Sequence, residues 1–404
     1  MDLDKDAIAE FLSLGYPLGD RTFRKGEPPA TLIDVPQLTV HDGSVDDVED
    51  TLKRSIHQAC TGKEHVGVLL SGGKDARLVV AMAHDLGLNV TAVTVGDKNN
   101  RSEESAASKV ASALDVPFMT VRIPETISPS IVSEIGDITG GITSFSAVAP
   151  IYLIKDELTT HFDIVLSGNL MTEIMDTCEY RWYDSKNPLD VMKRKHLKGS
   201  KVLTPEYAQR VEEHFTERYR NKTLEEIILD TEFKNRSRAL WTLTMLGVPI
   251  VAPVADKAVI STTFSLPLEK RINGRLVTTI LKKHYPALAN IRTSKTSLPL
   301  YFPWWIHYGT HRVKDRTEYL KKGQRIWAGE PRTNKMGMWD QGYIYKYKIG
   351  DYVRESLENL ELDILNHDFI QQVLTTHFSE KQDLSSYIPR LLTLKDWLER
   401  NNAT

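Results

Sequence analysis

Residues 65–77 read HVGVLLSGGKDAR, and this stretch decides the fold of the chain. The apolar residues 66–70 predict a buried strand, and the two glycines after Ser71 predict a turn too tight for large side chains. An amphipathic helix then begins at Lys74. A strand, a glycine turn and a helix N-terminus together present several backbone N–H groups to one anion, and the helix dipole adds to the attraction. The stretch therefore predicts a phosphate or pyrophosphate site in a nucleotide-using enzyme.

Composition excludes several classes of protein. The 404 residues are 41% hydrophobic and 26% charged, as in ordinary globular proteins. The net charge of −3 predicts no strong attraction to nucleic acid or to an anionic membrane. No apolar run approaches a membrane span, and the acidic N-terminus does not resemble a signal peptide. Cys60 and Cys178 form no CxxC pair, which argues against a disulfide framework, a zinc ribbon or an iron–sulfur cluster. We therefore expect a cytoplasmic protein.

From about residue 46 the hydrophobic pattern alternates between strands and helices. We predict strands at residues 66–70, 89–95, 117–123 and 163–166, and helices at residues 48–61, 76–86, 103–114 and 145–160. This alternation predicts an α/β fold with a doubly wound parallel sheet and right-handed crossovers. Ligands of such sheets bind beyond the carboxyl ends of the strands, where three glycine-bearing turns occur, at residues 71–73, 95–97 and 167–169.

The rest of the chain is predicted to be mostly helical. The predicted helices are residues 7–14, 205–219, 224–245, 256–264, 275–284, 350–360 and 389–399. We divide the chain into an N-terminal extension or linker remnant at 1–45, an ATP-binding α/β core at 46–180, a helical part at 181–310 and a helical C-terminal extension at 311–404.

The turn has neither the Walker spacing nor a G-x-G-x-x-G pattern. Its Ser-Gly-Gly-x-Asp pattern resembles the PP-loop of the N-type ATP pyrophosphatases, which have the adenine nucleotide alpha hydrolase-like fold. Those enzymes cleave ATP between the α- and β-phosphates and adenylate a substrate. The resemblance implies that Ser71, Gly72 and Gly73 hold the leaving pyrophosphate and that Asp75 binds Mg²⁺.

Later segments resemble the synthetase domain of the asparagine synthetase family. They are PVADKAVISTTFSLP at 253–267, RINGRLVTTIL at 271–281, and IRTSKTSLPLYFPW at 291–304. Residues 10–23, EFLSLGYPLGDRTF, resemble the linker that leaves the glutaminase domain of that family. The resemblance covers about residues 8–305, with a poor match around 180–230. Since the segments occur in the order of the family, the chain is identified as asparagine synthetase-like.

This resemblance implies an ATP-dependent, AMP-forming amide ligase. A carboxylic acid, by default aspartate, would be adenylated with release of pyrophosphate, and ammonia or another amine would displace AMP. Backbone N–H donors, Mg²⁺ and a lysine would stabilise the developing charge. The predicted catalytic residues are Lys74, Asp75 and Lys295. The predicted nucleotide-binding residues are Leu70, Ser71, Gly72, Gly73, Asp75, Val95, Ser167 and Gly168, and the predicted ligands of Mg²⁺ are Asp75 and Glu173.

The chain also departs from the family pattern. Ala76 replaces a serine of the loop, and Lys74 or Arg77 is expected to supply compensating positive charge. The segment after residue 168 usually carries a catalytic Glu and a metal-binding Asp, but this chain has Asn169 and Thr172 there. Only Glu173 remains, with Asp176 one helical turn beyond it as a possible substitute ligand.

The expected partners follow from what the sequence lacks. Glutamine-dependent members of the family begin with a catalytic cysteine on a separate domain, whereas residue 2 here is Asp2 and residues 1–45 are too short for a glutaminase. The amine is therefore expected to be free ammonia, to come from a separate glutaminase subunit, or to belong to the acceptor itself. The carboxylate is expected on a small molecule or a peptide, and neither a membrane nor nucleic acid is an expected partner.

Alternatives stay open at this point. Asp75 could merely cap its helix, and Glu173 with Asp176 could form a solvated helix face. The SGGKD pattern also occurs in tRNA-modifying enzymes, and residues 343–352, YIYKYKIGDY, could stack on a single strand. The replaced loop residues also allow a catalytically degenerate nucleotide-binding protein.

Overall fold

Five parallel strands form one sheet in the order β3-β2-β1-β4-β5. The strands are β1 Val66–Leu69, β2 Val90–Gly96, β3 Phe118–Arg122, β4 Ile164–Ser167 and β5 Ile250–Val251. The central strand β1 places Leu69 opposite Val93 of β2 on one side and opposite Ser167 of β4 on the other. The strand order reverses between β1 and β4, which is the switch point where doubly wound sheets bind ligands. The predicted α/β fold with a parallel sheet is confirmed.

The computed structural model describes residues 2–36, 38, 43–96, 101–124, 126–177, 188–294, 296–307, 309–310, 348–379 and 384–401. Several sequence predictions lie wholly or partly outside these residues. They concern Lys295, Cys178, half of the aromatic segment 343–352, the last residue of the turn at 95–97 and much of the C-terminal extension at 311–404.

Helices occupy most of the remaining described residues. The α-helices are α1 Lys5–Leu14, α2 Val45–Cys60, α3 Lys74–Asp85, α4 Arg101–Leu114, α5 Ile131–Thr139, α6 Ala149–Tyr152, α7 Lys155–His161, α8 Pro188–His196, α9 Pro205–Tyr219, α10 Leu224–Ile228, α11 Lys234–Met245, α12 Lys257–Phe264, α13 Leu268–Arg271, α14 Arg275–His284, α15 Pro286–Ala289, α16 Gly350–Glu358, α17 His367–Phe378 and α18 Ile388–Arg400. Short 3₁₀ turns are Phe145–Ala147, Leu197–Val202, Pro253–Ala255 and Ile272–Gly274, and π turns are Thr172–Asp176 and Leu229–Phe233.

Local sequence explains where several helices and strands begin. It also explains why some of the secondary-structure predictions were wrong. All four predicted strands lie within one residue of their predicted ends, whereas the two-residue strand β5 is too short to give a periodic signal. Helix α2 begins at a capping box in which Ser44 and Asp47 exchange hydrogen bonds. The continuous helix predicted at 145–160 is wrong, because the chain forms a 3₁₀ turn, α6 and α7 there, with a proline in the first turn of α6.

The first 25 residues pack into the helical half of the molecule. Phe23 has no exposed surface, and its ring makes edge contacts with Phe11 at 5.1 Å and with Trp397 of α18 at 5.2 Å. The buried Glu10 carboxylate accepts a hydrogen bond from the Leu18 amide at 2.8 Å and pairs with Arg21. The N-terminal segment therefore shares a core with the C-terminal helix, and the proposed division at residues 45, 180 and 310 stays a prediction.

Among the described residues, every helix is too short or too polar to span a lipid bilayer.

Truncating Phe23 should show how strongly the N-terminal segment stabilises the fold. We expect Phe23→Ala to lower the free energy of unfolding by about 3–5 kcal/mol, because the change leaves a cavity between two aromatic rings. Urea unfolding followed by circular dichroism measures this loss. Leu32→Ala is the control, since Leu32 is 65% exposed and its truncation should change stability by less than about 0.5 kcal/mol. Equal effects of the two changes would contradict the packing described.

Candidate active site

The carboxyl ends of β1, β2 and β4 border a cavity of about 270 Å³, which we call the inner cavity. Because β1 lies between β2 and β4, the chain segments that follow these strands meet at this edge of the sheet. Six of the predicted nucleotide-binding residues line the inner cavity: Leu70, Ser71, Asp75, Val95, Ser167 and Gly168. The tertiary structure therefore brings together residues that are far apart in the sequence.

The glycine turn leads directly into helix α3. Gly73 is the N-cap residue, and no side chain caps the helix from that position. The alternative that Asp75 only caps α3 is wrong, because Asp75 lies inside the first turn and its carboxylate contacts other side chains. An uncapped helix start has N–H groups without intrahelical partners, and such groups bind anions.

Two glycines are required at the site because other atoms approach their backbone closely. A Cβ atom on Gly72 would lie 2.5 Å from the Ser294 Cβ atom and 3.0 Å from the Ala106 Cβ atom. A Cβ atom on Gly168 would lie 2.9 Å from the backbone nitrogen of Ala76. The β4 turn therefore packs directly on the first turn of α3, and any larger residue at Gly168 would displace that turn.

The buried Arg77 side chain holds the glycine turn in place through hydrogen bonds to backbone carbonyls. Its side chain has no exposed surface, and Nη1 donates hydrogen bonds to the carbonyl oxygens of Leu288 at 2.6 Å and Ile291 at 2.9 Å. Nη2 donates to the carbonyl of Gly72 at 3.4 Å. Burial lowers the pKa of the guanidinium to about 10, so it stays charged at neutral pH. The expectation that Arg77 offers its charge to phosphate is wrong, since the side chain is buried among backbone carbonyls and lines neither cavity.

Lys74 lies between two carboxylates. Its Nζ atom is 2.7 Å from Asp75 Oδ1 and also forms an ion pair with Asp176. The Asp176 side chain is fully buried, and its other oxygen accepts a hydrogen bond from the Val277 amide at 3.2 Å. Burial raises the pKa of the Asp176 carboxyl above its usual value, while the Lys74 ammonium opposes that rise. Asp176, offered by the sequence as a substitute metal ligand, is thus a buried partner of Lys74.

The residues predicted to hold Mg²⁺ differ in their surroundings. Asp75 lines the inner cavity, is 22% exposed, and accepts a hydrogen bond from the Thr172 hydroxyl at 2.7 Å. Glu173 also lines this cavity, but it is 5% exposed and forms an ion pair with Arg236 at 2.9 Å. Nucleotide-bound Mg²⁺ needs only one or two carboxylates in addition to phosphate oxygens and water. The partly exposed Asp75 carboxylate fits that requirement.

A second cavity of about 520 Å³, the outer cavity, adjoins the first. The two cavities share four lining residues: Ser71, Asp75, Glu103 and Thr172. The outer cavity also contacts Gly73 and Lys74, the start and one face of α14, and a segment at residues 293–307. An anion held at the glycine turn would therefore lie where the two cavities meet.

Sequence reasoning missed Glu103 as a site residue. It lies in the first turn of α4, is 7% exposed, and lines both cavities. Ala106, one helical turn further on, contacts Gly72. The spacing of three residues places both side chains on the helix face that meets the glycine turn. That spacing was available in the sequence, but only the sheet order shows which face of α4 is turned to the site.

Lys295 lies outside the described residues, although the adjacent Ser294 and Thr296 line the outer cavity. Cys60 is buried at the end of α2 and lines neither cavity, and burial raises the pKa of its thiol to about 11. A nucleophilic role for Cys60 is therefore not supported.

This fold and this turn define a nucleotide-binding α/β protein of the PP-loop type. The chain belongs to the asparagine synthase family, whose family description matches residues 47–289. The match includes the glycine turn, both cavity-bordering turns and α14. It does not include residues 10–23 or 291–304, so the resemblance of those two segments stays a prediction. No curated protein matches this sequence significantly.

Solved structures with similarity to the chain include two synthetases. One is an NMN synthetase from Francisella tularensis, with 15% identity and a TM-score of 0.25, covering 50% of this chain and 94% of its own. Another is an NH₃-dependent NAD synthetase from Campylobacter jejuni, solved with nitrate, with 15% identity and a TM-score of 0.27, covering 48% of this chain and 96% of its own.

Removing the Arg77 guanidinium should loosen the glycine turn. We expect Arg77→Met to lower the free energy of unfolding by about 3 kcal/mol. The three buried carbonyl oxygens that accept hydrogen bonds from Arg77 would lose a charged donor. ATP affinity should fall at least tenfold, since the turn is no longer fixed. Urea unfolding and calorimetric titration with ATP measure the two effects. Arg220→Met, which changes an exposed arginine after α9, is the control and should change neither quantity. Unchanged ATP binding in a folded Arg77→Met protein would contradict this role.

Proposed function

We propose that the protein is an ATP-dependent amide ligase that adenylates a carboxylic acid and passes the acyl group to an amine. Membership of the asparagine synthase family supports an ATP-dependent ligase. The observation that carries the proposal is the uncapped glycine turn at the junction of two cavities, beside the Asp75 carboxylate. One cavity would hold the nucleotide, and the other would hold the acceptor.

The inner cavity suits the nucleoside part of ATP. Leu70 and Val95 offer apolar surface, and Ser167 and Gly168 offer backbone groups beside it. The β- and γ-phosphates would lie on the N–H groups of the glycine turn. Bound Mg²⁺, held by Asp75 with Glu173 as a further candidate ligand, would neutralise phosphate charge.

The chemistry then requires two displacements. A carboxylate oxygen attacks the α-phosphorus, the bond to the bridging oxygen breaks, and pyrophosphate leaves on the glycine turn. The amine nitrogen next attacks the acyl carbon, the bond to AMP breaks, and the nitrogen loses a proton. Lys74 would turn from Asp75 towards the phosphates as negative charge gathers there, and Lys295 would stabilise the same charge. Aspartate and free ammonia are the default reactants, with ammonia from a separate glutaminase subunit as the other source.

One observation favours a second function, that of a degenerate nucleotide-binding protein. Each carboxylate that could hold a metal already has a positively charged partner: Lys74 for Asp75 and Asp176, and Arg236 for Glu173. Such a protein would bind ATP without forming pyrophosphate. The two functions therefore differ in a directly measurable product.

The test is pyrophosphate release from ATP with Mg²⁺, ammonia and a panel of carboxylic acids that includes aspartate. Chelation with EDTA should stop the reaction, and added MgCl₂ should restore it. We expect Asp75→Asn to reduce pyrophosphate formation at least 100-fold while ATP affinity changes by less than tenfold, because phosphate binding depends mainly on the backbone. Asp156→Asn, on the exposed side of α7, is the matched control.

The products separate the alternatives. Orthophosphate in place of pyrophosphate would exclude this ligase chemistry. ATP binding without turnover or pyrophosphate exchange for any acceptor would favour the degenerate protein. Copurifying RNA would instead favour a tRNA-modifying enzyme.

A further inference from the structure

The outer cavity has a shape and a charge distribution that aspartate does not match. We propose that its acceptor is a small carboxylic acid with a flat apolar body and a second anionic group about 10 Å from the reacting carboxylate. This inference rests on the proposed function, because it assigns the acceptor of that reaction. It replaces the default choice of aspartate.

Helix α14 runs away from the glycine turn along the outer cavity. At its start, a Cβ atom on Gly274 would lie 2.8 Å from Lys74 Cε, so this end abuts the predicted reaction centre. Lys282, which also lines the cavity, is eight residues further along, or about 12 Å at 1.5 Å per residue. The two carboxyl carbons of aspartate are joined by three C–C bonds of about 1.5 Å each, and therefore span less than about 5 Å. The two carboxylates of aspartate therefore span less than half of this distance.

The face of α14 that lines the cavity is positively charged. It consists of Arg275, Thr278, Thr279 and Lys282, which follow helical spacing. Arg275 donates to the neutral carbonyl of Glu269 at 2.9 Å, and Lys282 Nζ lies 5.6 Å from the ring centre of Tyr301. Among the residues that the structure describes, neither cation has an ion-pair partner within 4 Å. Their charges are therefore available to a second anionic group of the ligand.

In contrast to α14, the end of the outer cavity at the glycine turn carries acidic side chains. Asp75 and Glu103 line this end, and its cation Lys74 is already paired with the carboxylates of Asp75 and Asp176. The second anionic group of the ligand therefore belongs beside α14 and away from the turn.

Another part of the wall is apolar and flat. Leu300, Phe302, Pro303 and Trp304 all line the outer cavity. Phe302 is 43% exposed and Trp304 is 36% exposed, which leaves aromatic surface open to the cavity. An aromatic or similarly flat body between the two anionic groups would cover that surface, and aromatic rings stack on one another favourably. A volume of about 520 Å³ is within the range of pockets that hold ligands of this size.

Three acids test the inference: L-aspartate, N-benzoylglycine and N-(4-carboxybenzoyl)glycine. Each is titrated calorimetrically into the full chain with Mg²⁺ and α,β-methylene-ATP, which cannot release pyrophosphate. We expect N-(4-carboxybenzoyl)glycine to bind at least tenfold more tightly than L-aspartate and more tightly than N-benzoylglycine, because it alone has an aromatic ring between two carboxylates that are about 10 Å apart.

Two pairs of variants show how much of the binding affinity depends on the aromatic wall of the outer cavity and how much depends on helix α14. Trp304→Ala should weaken both benzoyl compounds at least fivefold and leave aspartate within twofold, whereas Trp305→Ala, 60% exposed and outside the cavity lining, should change none. Lys282→Gln should weaken N-(4-carboxybenzoyl)glycine at least fivefold and N-benzoylglycine by less than twofold. Lys283→Gln is its control, since Lys283 pairs with Asp46 outside the cavity.

Failure of this inference is distinguishable from failure of the proposed function. If α,β-methylene-ATP does not bind, the proposed function itself is wrong. If the nucleotide analogue binds but aspartate binds as tightly as N-(4-carboxybenzoyl)glycine, or none of the acids binds, the acceptor assignment is overturned and the ligase proposal stands. Tight binding of carboxylate-bearing peptides alone would overturn it as well.

Discussion

The hydrogen bonds that buried Arg77 donates to backbone carbonyls are the constraint on which the site depends. One guanidinium connects the glycine turn to residues 288 and 291, which lie more than 200 positions further along the chain. A buried charge is costly unless it is hydrogen-bonded, and three backbone carbonyls accept hydrogen bonds from the two Nη atoms without introducing a negative charge beside the glycine turn. These hydrogen bonds hold the turn from the protein interior, and the opposite side of the turn stays open to both cavities.

The charged side chains beside the turn form a series of contacts that runs from the buried interior to the cavity. Asp176 is fully buried and holds Lys74, and Lys74 in turn contacts the partly exposed Asp75. A lysine ammonium on a flexible stem can change partners when phosphate charge arrives, whereas a buried carboxylate cannot leave its place. In this arrangement Asp176 keeps Lys74 near the turn, and Asp75 is the partly exposed carboxylate of the three side chains. The Thr172 hydroxyl, which stands where the family has an acid, orients Asp75 through a 2.7 Å hydrogen bond.

The altered residues are compatible with a working site on packing grounds. Ala76 lies where Gly168 makes its close approach to the α3 backbone, so the small side chain agrees with the tight packing of the β4 turn on this helix. Asn169 donates its backbone N–H to the Ser167 hydroxyl at 3.2 Å, which keeps the turn after β4 compact without an acidic side chain. Glu103, from a different helix, supplies an acidic group that lines both cavities.

The sequence by itself determined the strand, turn and helix at residues 66–85, the other long strands and the family, because these depend on local periodicity and on short segments in a fixed order. Six of the eight residues that it predicted to bind the nucleotide line the inner cavity, since parallel strands bring their carboxyl ends to one edge. Only the tertiary structure decided the partners of charged side chains. Arg77 and Asp176 looked like ligands of phosphate and metal, yet both are buried against residues from about 100 to more than 200 positions away, and sequence spacing carries no information about such contacts. The charged and aromatic walls of the outer cavity likewise arise from packing between distant segments.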